Sequence, residues 1–134
     1  MVIVAGSLIA ADPCYARDLN NVQALLEQCS SLQATNNHDQ PSAILRASGD
    51  QMFCFGYING MADMMTINGI ILGHNPELWS GLHGWAMCEA PTSPLGAKVQ
   101  AFKNYAAAHP EIWGQLMEVG VIQALNSVWP CHER

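Results

Sequence analysis

Charge is scarce in this chain of 134 residues. Only 12% of them are Asp, Glu, Lys or Arg, and just 5 are cationic. The 11 carboxylates bring the net charge to −6. With no basic run, the electrostatic footprint of a nucleic-acid binder is absent. Attraction to an anionic membrane surface is excluded on the same ground. An acidic surface suits a basic protein partner instead. No apolar run reaches the ~20 residues that span a bilayer, so no membrane span is expected. No Cys-x-x-Cys occurs, which disfavours a zinc ribbon or a thioredoxin-type redox motif. His38, His74, His83, His109 and His132 are scattered, and no two lie four apart, so no metal site is expected. The glycines fit no phosphate loop, and no cofactor is implied. Strand alternation and internal repeats are also missing.

What remains is a chain half of whose residues are hydrophobic, enough for one domain with one core. Five cysteines stand at wide, irregular spacing: Cys14, Cys29, Cys54, Cys88 and Cys131. That pattern suits structural disulfides and hence an oxidising compartment. The number is odd, so one thiol is free or pairs between chains. Residues 1–11 (MVIVAGSLIAA) are apolar and small-residue rich. They read either as a signal-peptide remnant or as an apolar arm packed on a single domain over 12–134.

Helical periodicity organises the rest. Asp18 is placed to cap a helix running to about Cys29, with Val22, Leu25, Leu26 and Cys29 on one face. Residues 30–41 read as a polar loop. A second helix is expected from about Ser48-Gly49-Asp50 to Gly73, its inner stripe formed by Phe53, Tyr57, Gly60 or Met61, Met64, Ile67 or Asn68 and Ile71. Gly56 and Gly60 each cost about 1 kcal/mol there, and close approach of a neighbouring helix is the expected return. Residues 74–92 form a long connection with at most a short helical turn. Thr92 or Ser93 caps a third helix, with Leu95, Val99, Phe102 and Ala106 inside. Pro110 ends it after His109 and opens a fourth, carrying Ile112, Leu116, Val119 and Leu125 or Ile122. The fold expected is all-α: a small disulfide-stabilised bundle of four to five helices. Helices three and four, joined by a short corner, pack antiparallel. The start of one then lies beside the end of the other, which predicts a Cys88–Cys131 bridge. By similar logic Cys29 meets Cys54, leaving Cys14 over.

Chemistry of the enzymatic kind finds little support. Cys88 with His83, or Cys131 with His132, would be a nucleophile–base pair only if the thiols were free. Asp63, Glu77 and Glu89 are not oriented as a carboxylate pair. Asp63 reads as a helix-face or dimer-contact residue, and Met52, Met61, Met64 and Met65 as filler of a core or an interface. The 74–87 segment is different. It is long, broken by Gly and Pro, and carries Glu77, Trp79, His83 and Trp85, which makes it the candidate partner-binding element.

The run Cys54-Phe55-Gly56-Tyr57-Ile58-Asn59-Gly60-Met61-Ala62-Asp63 resembles the Cys-x-Gly-Tyr-x-x-Gly-x-x-Asp signature of the Rap/Tai family of type VI secretion immunity proteins. So do Cys88-Glu89-Ala90-Pro91-Thr92, then Tyr105 with His109-Pro110, then Ala124-Leu125 and Trp129-Pro130-Cys131. The resemblance covers about residues 50–131. It implies a periplasmic, mainly helical protein that neutralises a secreted peptidoglycan amidase by direct binding, often as a homodimer. It also implies that the cysteines are structural and that Tyr57, Gly60 and Asp63 are scaffold. A non-enzymatic inhibitor is therefore the leading expectation. A periplasmic acid-stress chaperone, exposing apolar surface only at low pH, is the alternative from another class. An enzyme with a free nucleophile among Cys54, Cys88 and Cys131 is the third.

Overall fold

The computed structural model describes residues 20–34, 41–88 and 93–133. These form five helices: α1 (Val22–Ala34), α2 (Pro41–His74), α3 (Trp79–Leu82), α4 (Leu95–Ala108) and α5 (Met117–Val128). Short 3-10 turns stand at Pro76–Leu78, His83–Trp85 and Pro110–Ile112. The all-α, disulfide-stabilised bundle is thus as expected, among the described residues.

The core joins one face each of α1, α2, α4 and α5. Val22, Leu25 and Cys29 come from α1, and Val99, Phe102 and Ala106 from α4. From α5 come Met117, Val121, Ala124 and Leu125. Lys98 is the buried charged residue among those described; a long stem lets such a side chain cover apolar surface. Gly120 is where α1 crosses α5. A Cβ there would stand 2.5 Å from Val22 Cγ2, and the β-branched valine has little freedom to yield.

Several local expectations give way. The N-terminal cap is Asn21, whose Oδ1 accepts from the Ala24 N–H at 2.8 Å; Asp18 and Cys14, like residues 1–11, lie outside the described residues. α1 continues to Ala34, well past Cys29. α2 begins at Pro41, about a full two turns earlier than expected, because Pro suits a first helical position and Gly49 weakens a helix without ending it. At α4 the residue before the helix is Pro94, with no side-chain cap, and Thr92 lies outside the described residues.

The core face of α2 is also displaced. Cys54, Ile58, Ala62, Met65 and Leu72 are buried, whereas Phe53, Met64, Ile67 and Ile71 are exposed. Apolar residues surround this helix, so two parallel stripes one residue apart compete in the sequence, and burial selects the one bearing the disulfide cysteine.

The fourth helix is shorter than expected. Residues 113–116 leave the helix because their backbone pairs with the chain before α1. Val22 N–H donates to Gln115 O at 3.0 Å, and Met117 N–H to Asn20 O at 3.0 Å. Leu116, extended in this pairing, turns outward and is 62% exposed. The corner between α4 and α5 is therefore eight residues long, not one or two. Both expected disulfides are nonetheless present. Cys29–Cys54 joins α1 to α2 with 5.1 Å between Cα atoms, and Cys88–Cys131 ties the chain after the His83–Trp85 turn to the chain after α5 with 4.8 Å between them.

Candidate partner-binding surface

The 75–88 segment is more structured than its composition suggests, running through a 3-10 turn, α3 and a second 3-10 turn. It is also fastened along its length. Asn75 closes the end of α2, its backbone N–H and its side-chain amide both donating to Ile71 O at 2.9 and 3.0 Å. The Asn68 amide donates to Trp85 O at 2.8 Å. The Asn126 amide, from α5, donates to both His83 O at 3.1 Å and Ala86 O at 3.0 Å. Met87 N–H reaches Met65 O at 3.0 Å, and Cys88 N–H reaches Trp129 O at 3.3 Å. Gly69 permits the close approach, since a Cβ there would overlap the Met87 carbonyl and press on Cys88 Sγ. The Cys88–Cys131 bridge completes the attachment.

The four residues expected at a partner surface fall into different settings. Trp79 is half-buried, packed with Leu82 against Leu72, Ala86 and Cys131 in a small satellite core. His83 stacks on it with ring centroids 5.2 Å apart, and its Nδ1–H donates to Trp79 O at 2.8 Å. These two are therefore brought together, with Trp79 serving as an anchor of the segment. Glu77 is exposed, and Trp85 is 52% exposed while its backbone is held to α2. Asn75 and Asn126, which help hold the segment in place, carry no periodic signal in the sequence, and Asn68 entered only as an alternative for the inner stripe of α2, not as a tether.

Beside this segment lies a groove of about 600 Å³, lined among others by Ile70, His74, Trp79, Cys131 and His132. Earlier on α2, Tyr57 has a buried hydroxyl with no hydrogen-bond partner. Burial first, and then the charge of the nearby Glu118 carboxylate, push this phenol well above its ordinary pKa of 10.0.

Reactive chemistry has little footing here. Cys29, Cys54, Cys88 and Cys131 are all oxidised, which removes the thiol that a Cys nucleophile requires. Among the described residues no group of His, Cys, Asp and Glu is placed to hold a metal ion, and no helix is long and apolar enough to cross a membrane.

What the molecule offers is a rigid, disulfide-stapled surface with exposed aromatic and aliphatic side chains. The family model for Rap1a immunity proteins matches residues 21–131, from the start of α1 to the last disulfide cysteine. The chain belongs to the Rap1a immunity protein family. No curated protein and no solved structure matches it. Membership of the Rap1a family fits the two bridges, since the matched span contains all four bonded cysteines. It also makes a toxin the natural binding partner.

Proposed function

We propose that this Rap1a-family protein is a periplasmic immunity protein. It binds a cognate type VI secreted peptidoglycan amidase and covers its substrate groove, as a homodimer and with no chemistry of its own. The family match over 21–131 carries the reading. Two fully formed disulfides suit an oxidising compartment such as the periplasm. The 75–88 segment supports the steric mode: its backbone is already fixed, so docking it sacrifices little conformational freedom. Trp85 and Leu78 are exposed on it as apolar anchors, with Glu77 beside them as a carboxylate for a basic rim.

The direct test mixes the oxidised protein with candidate type VI amidases and follows release of peptidoglycan fragments. Inhibition should saturate at one immunity chain per toxin. Trp85→Ala should weaken it by about 2 kcal/mol, or roughly 30-fold, without changing the melting temperature. Cleavage undiminished at molar excess of the wild-type protein would sink the proposal.

A further inference from the structure

The two disulfides sit in opposite surroundings. Cys29–Cys54 belongs to the main core, with Cys54 wholly enclosed and Cys29 only 8% exposed. A thiolate reaches that bridge only when the core opens. Cys88–Cys131 is placed differently. Cys88 is exposed, and both cysteines line the groove of about 600 Å³ beside the 75–88 segment. Gly69 forms part of the α2 wall of that groove. A Cβ there would stand 3.3 Å from Cys88 Sγ, so glycine leaves that flank of the sulfur without a side chain over it. Access to one sulfur and a setting for the other to leave into are what exchange at a disulfide requires.

The bridge also holds something that matters. Cys131 belongs to the satellite core with Leu72 and Ala86, against which Trp79 and Leu82 pack. Neither Cys88 nor Cys131 is part of the main core. Opening the bridge therefore leaves the packing of α1, α2, α4 and α5 in place. It leaves residues 85–88 held by hydrogen bonds alone, from Asn68, Asn126 and the N–H groups of Met87 and Cys88.

We propose that Cys88–Cys131 is a thiol–disulfide exchange site opened by a protein dithiol, and that opening it loosens the 75–88 segment from the surface it presents to a toxin. The incoming thiolate attacks Cys88 Sγ, forms a mixed disulfide and expels Cys131 as thiolate. The second thiolate of the dithiol then attacks its own partner sulfur and expels Cys88. The dithiol leaves as a disulfide, and its two protons end on Cys88 and Cys131. His74 and His132 line the same groove, where ring N–H groups are donors for the departing thiolate. The surroundings also select the reductant. A chain of net charge −6 repels an anionic small thiol. Ile70, Trp79 and Met87 on the groove wall suit the apolar contact surface of a protein.

The effect on toxin binding rests on the immunity reading above; the exchange site does not. The full oxidised chain carrying Cys14→Ser is mixed with reduced thioredoxin under native conditions, then alkylated at intervals and mapped by mass spectrometry. Cys88 and Cys131 should be labelled at least ~100-fold faster than Cys29 and Cys54. The protein with only Cys88–Cys131 opened should keep its helical circular dichroism and show faster amide exchange at 85–88. Its inhibition of a cognate amidase should weaken at least ~10-fold. Two bridges that open at equal rates overturn the proposal, as does a Cys88–Cys131 bridge that thioredoxin leaves closed. So does a singly opened protein whose 85–88 exchange is unchanged, or one that inhibits as tightly as the oxidised form. Selective opening in a protein that inhibits no amidase in either form removes the immunity reading and leaves the exchange site standing. Tight inhibition by a protein whose bridges open together does the reverse.

Discussion

Removing the two disulfides one at a time should produce unequal losses, in an order that loop length alone gets wrong. The bridges span 25 and 43 residues of sequence. In the chain-entropy description, closing such loops stabilises by about 3.5 and about 4 kcal/mol. On that term the Cys88–Cys131 bridge is the stronger. Burial reverses the order. Cys54 is fully enclosed and Cys29 nearly so, within the main core, whereas Cys88 is exposed and Cys131 belongs to the satellite core. Replacing Cys29 and Cys54 by alanine adds two sulfur-sized voids, at about 1 kcal/mol each. The expected losses are thus about 5–6 kcal/mol for Cys29→Ala/Cys54→Ala and about 4–5 kcal/mol for Cys88→Ala/Cys131→Ala, where only the buried Cys131 leaves a void. The first approaches the whole stability of an ordinary domain. The second should lower the melting temperature by roughly 12–20 °C and leave a folded protein. Urea unfolding without reductant, in a Cys14→Ser background, measures both. The slope against denaturant should also rise, because each freed denatured chain exposes more surface. If Cys88→Ala/Cys131→Ala were the more damaging pair, the assignment of the main core to the Cys29–Cys54 side would be wrong.

Other perturbations probe single contacts. Gly69→Ala drives a methyl group into the Met87 carbonyl; it should cost about 2–3 kcal/mol, and faster amide exchange at 85–88 should accompany the loss. Tyr57→Phe removes a buried hydroxyl that has no partner, so thermal unfolding at pH 7 should show stability unchanged or raised by about 1 kcal/mol. The phenol of Tyr57 has its folded pKa raised, so its contribution is intact below the ordinary value of 10.0 and is lost as pH climbs above it. Wild type should therefore lose stability in alkali that Tyr57→Phe keeps. The Glu111 carboxyl lies below its ordinary 4.5, held there by its own backbone N–H and then by His109 Nδ1 at 2.8 Å. Its contribution is present above 4.5 and vanishes as pH falls through the lowered value. Carboxyl NMR titration should show the downward shift, and His109→Ala should reduce it without abolishing it.

The fold class and both cysteine pairings were legible because helical spacing and hairpin geometry are local properties. The faces of α1 and α4 were legible for the same reason: Val22, Leu25 and Cys29, and Val99, Phe102 and Ala106, repeat with one dominant stripe. α2 was not, because it carries two apolar stripes and only one is used internally. The break at residues 113–116 was hidden for another reason. It is imposed by backbone hydrogen bonds to residues about 90 positions earlier, and the one local sign, Gly114, weakens a helix without fixing where it ends. Of the candidate surface, Trp85 and Glu77 were named from composition, and the structure leaves both exposed. The asparagines that fix the segment could not, since their value lies in two carbonyls reached across the bundle.

The doubly donating amide of Asn126 has a consequence for how this molecule ages. Slow hydrolysis of that amide, the ordinary decay of an asparagine followed by serine, would turn a donor into an anion aimed at two carbonyl oxygens. The helices would survive while the segment they carry lifted away. A long-stored sample should then keep its far-ultraviolet spectrum yet elute as an acidic variant with changed Trp85 fluorescence, and Asn126→Asp should reproduce it when fresh.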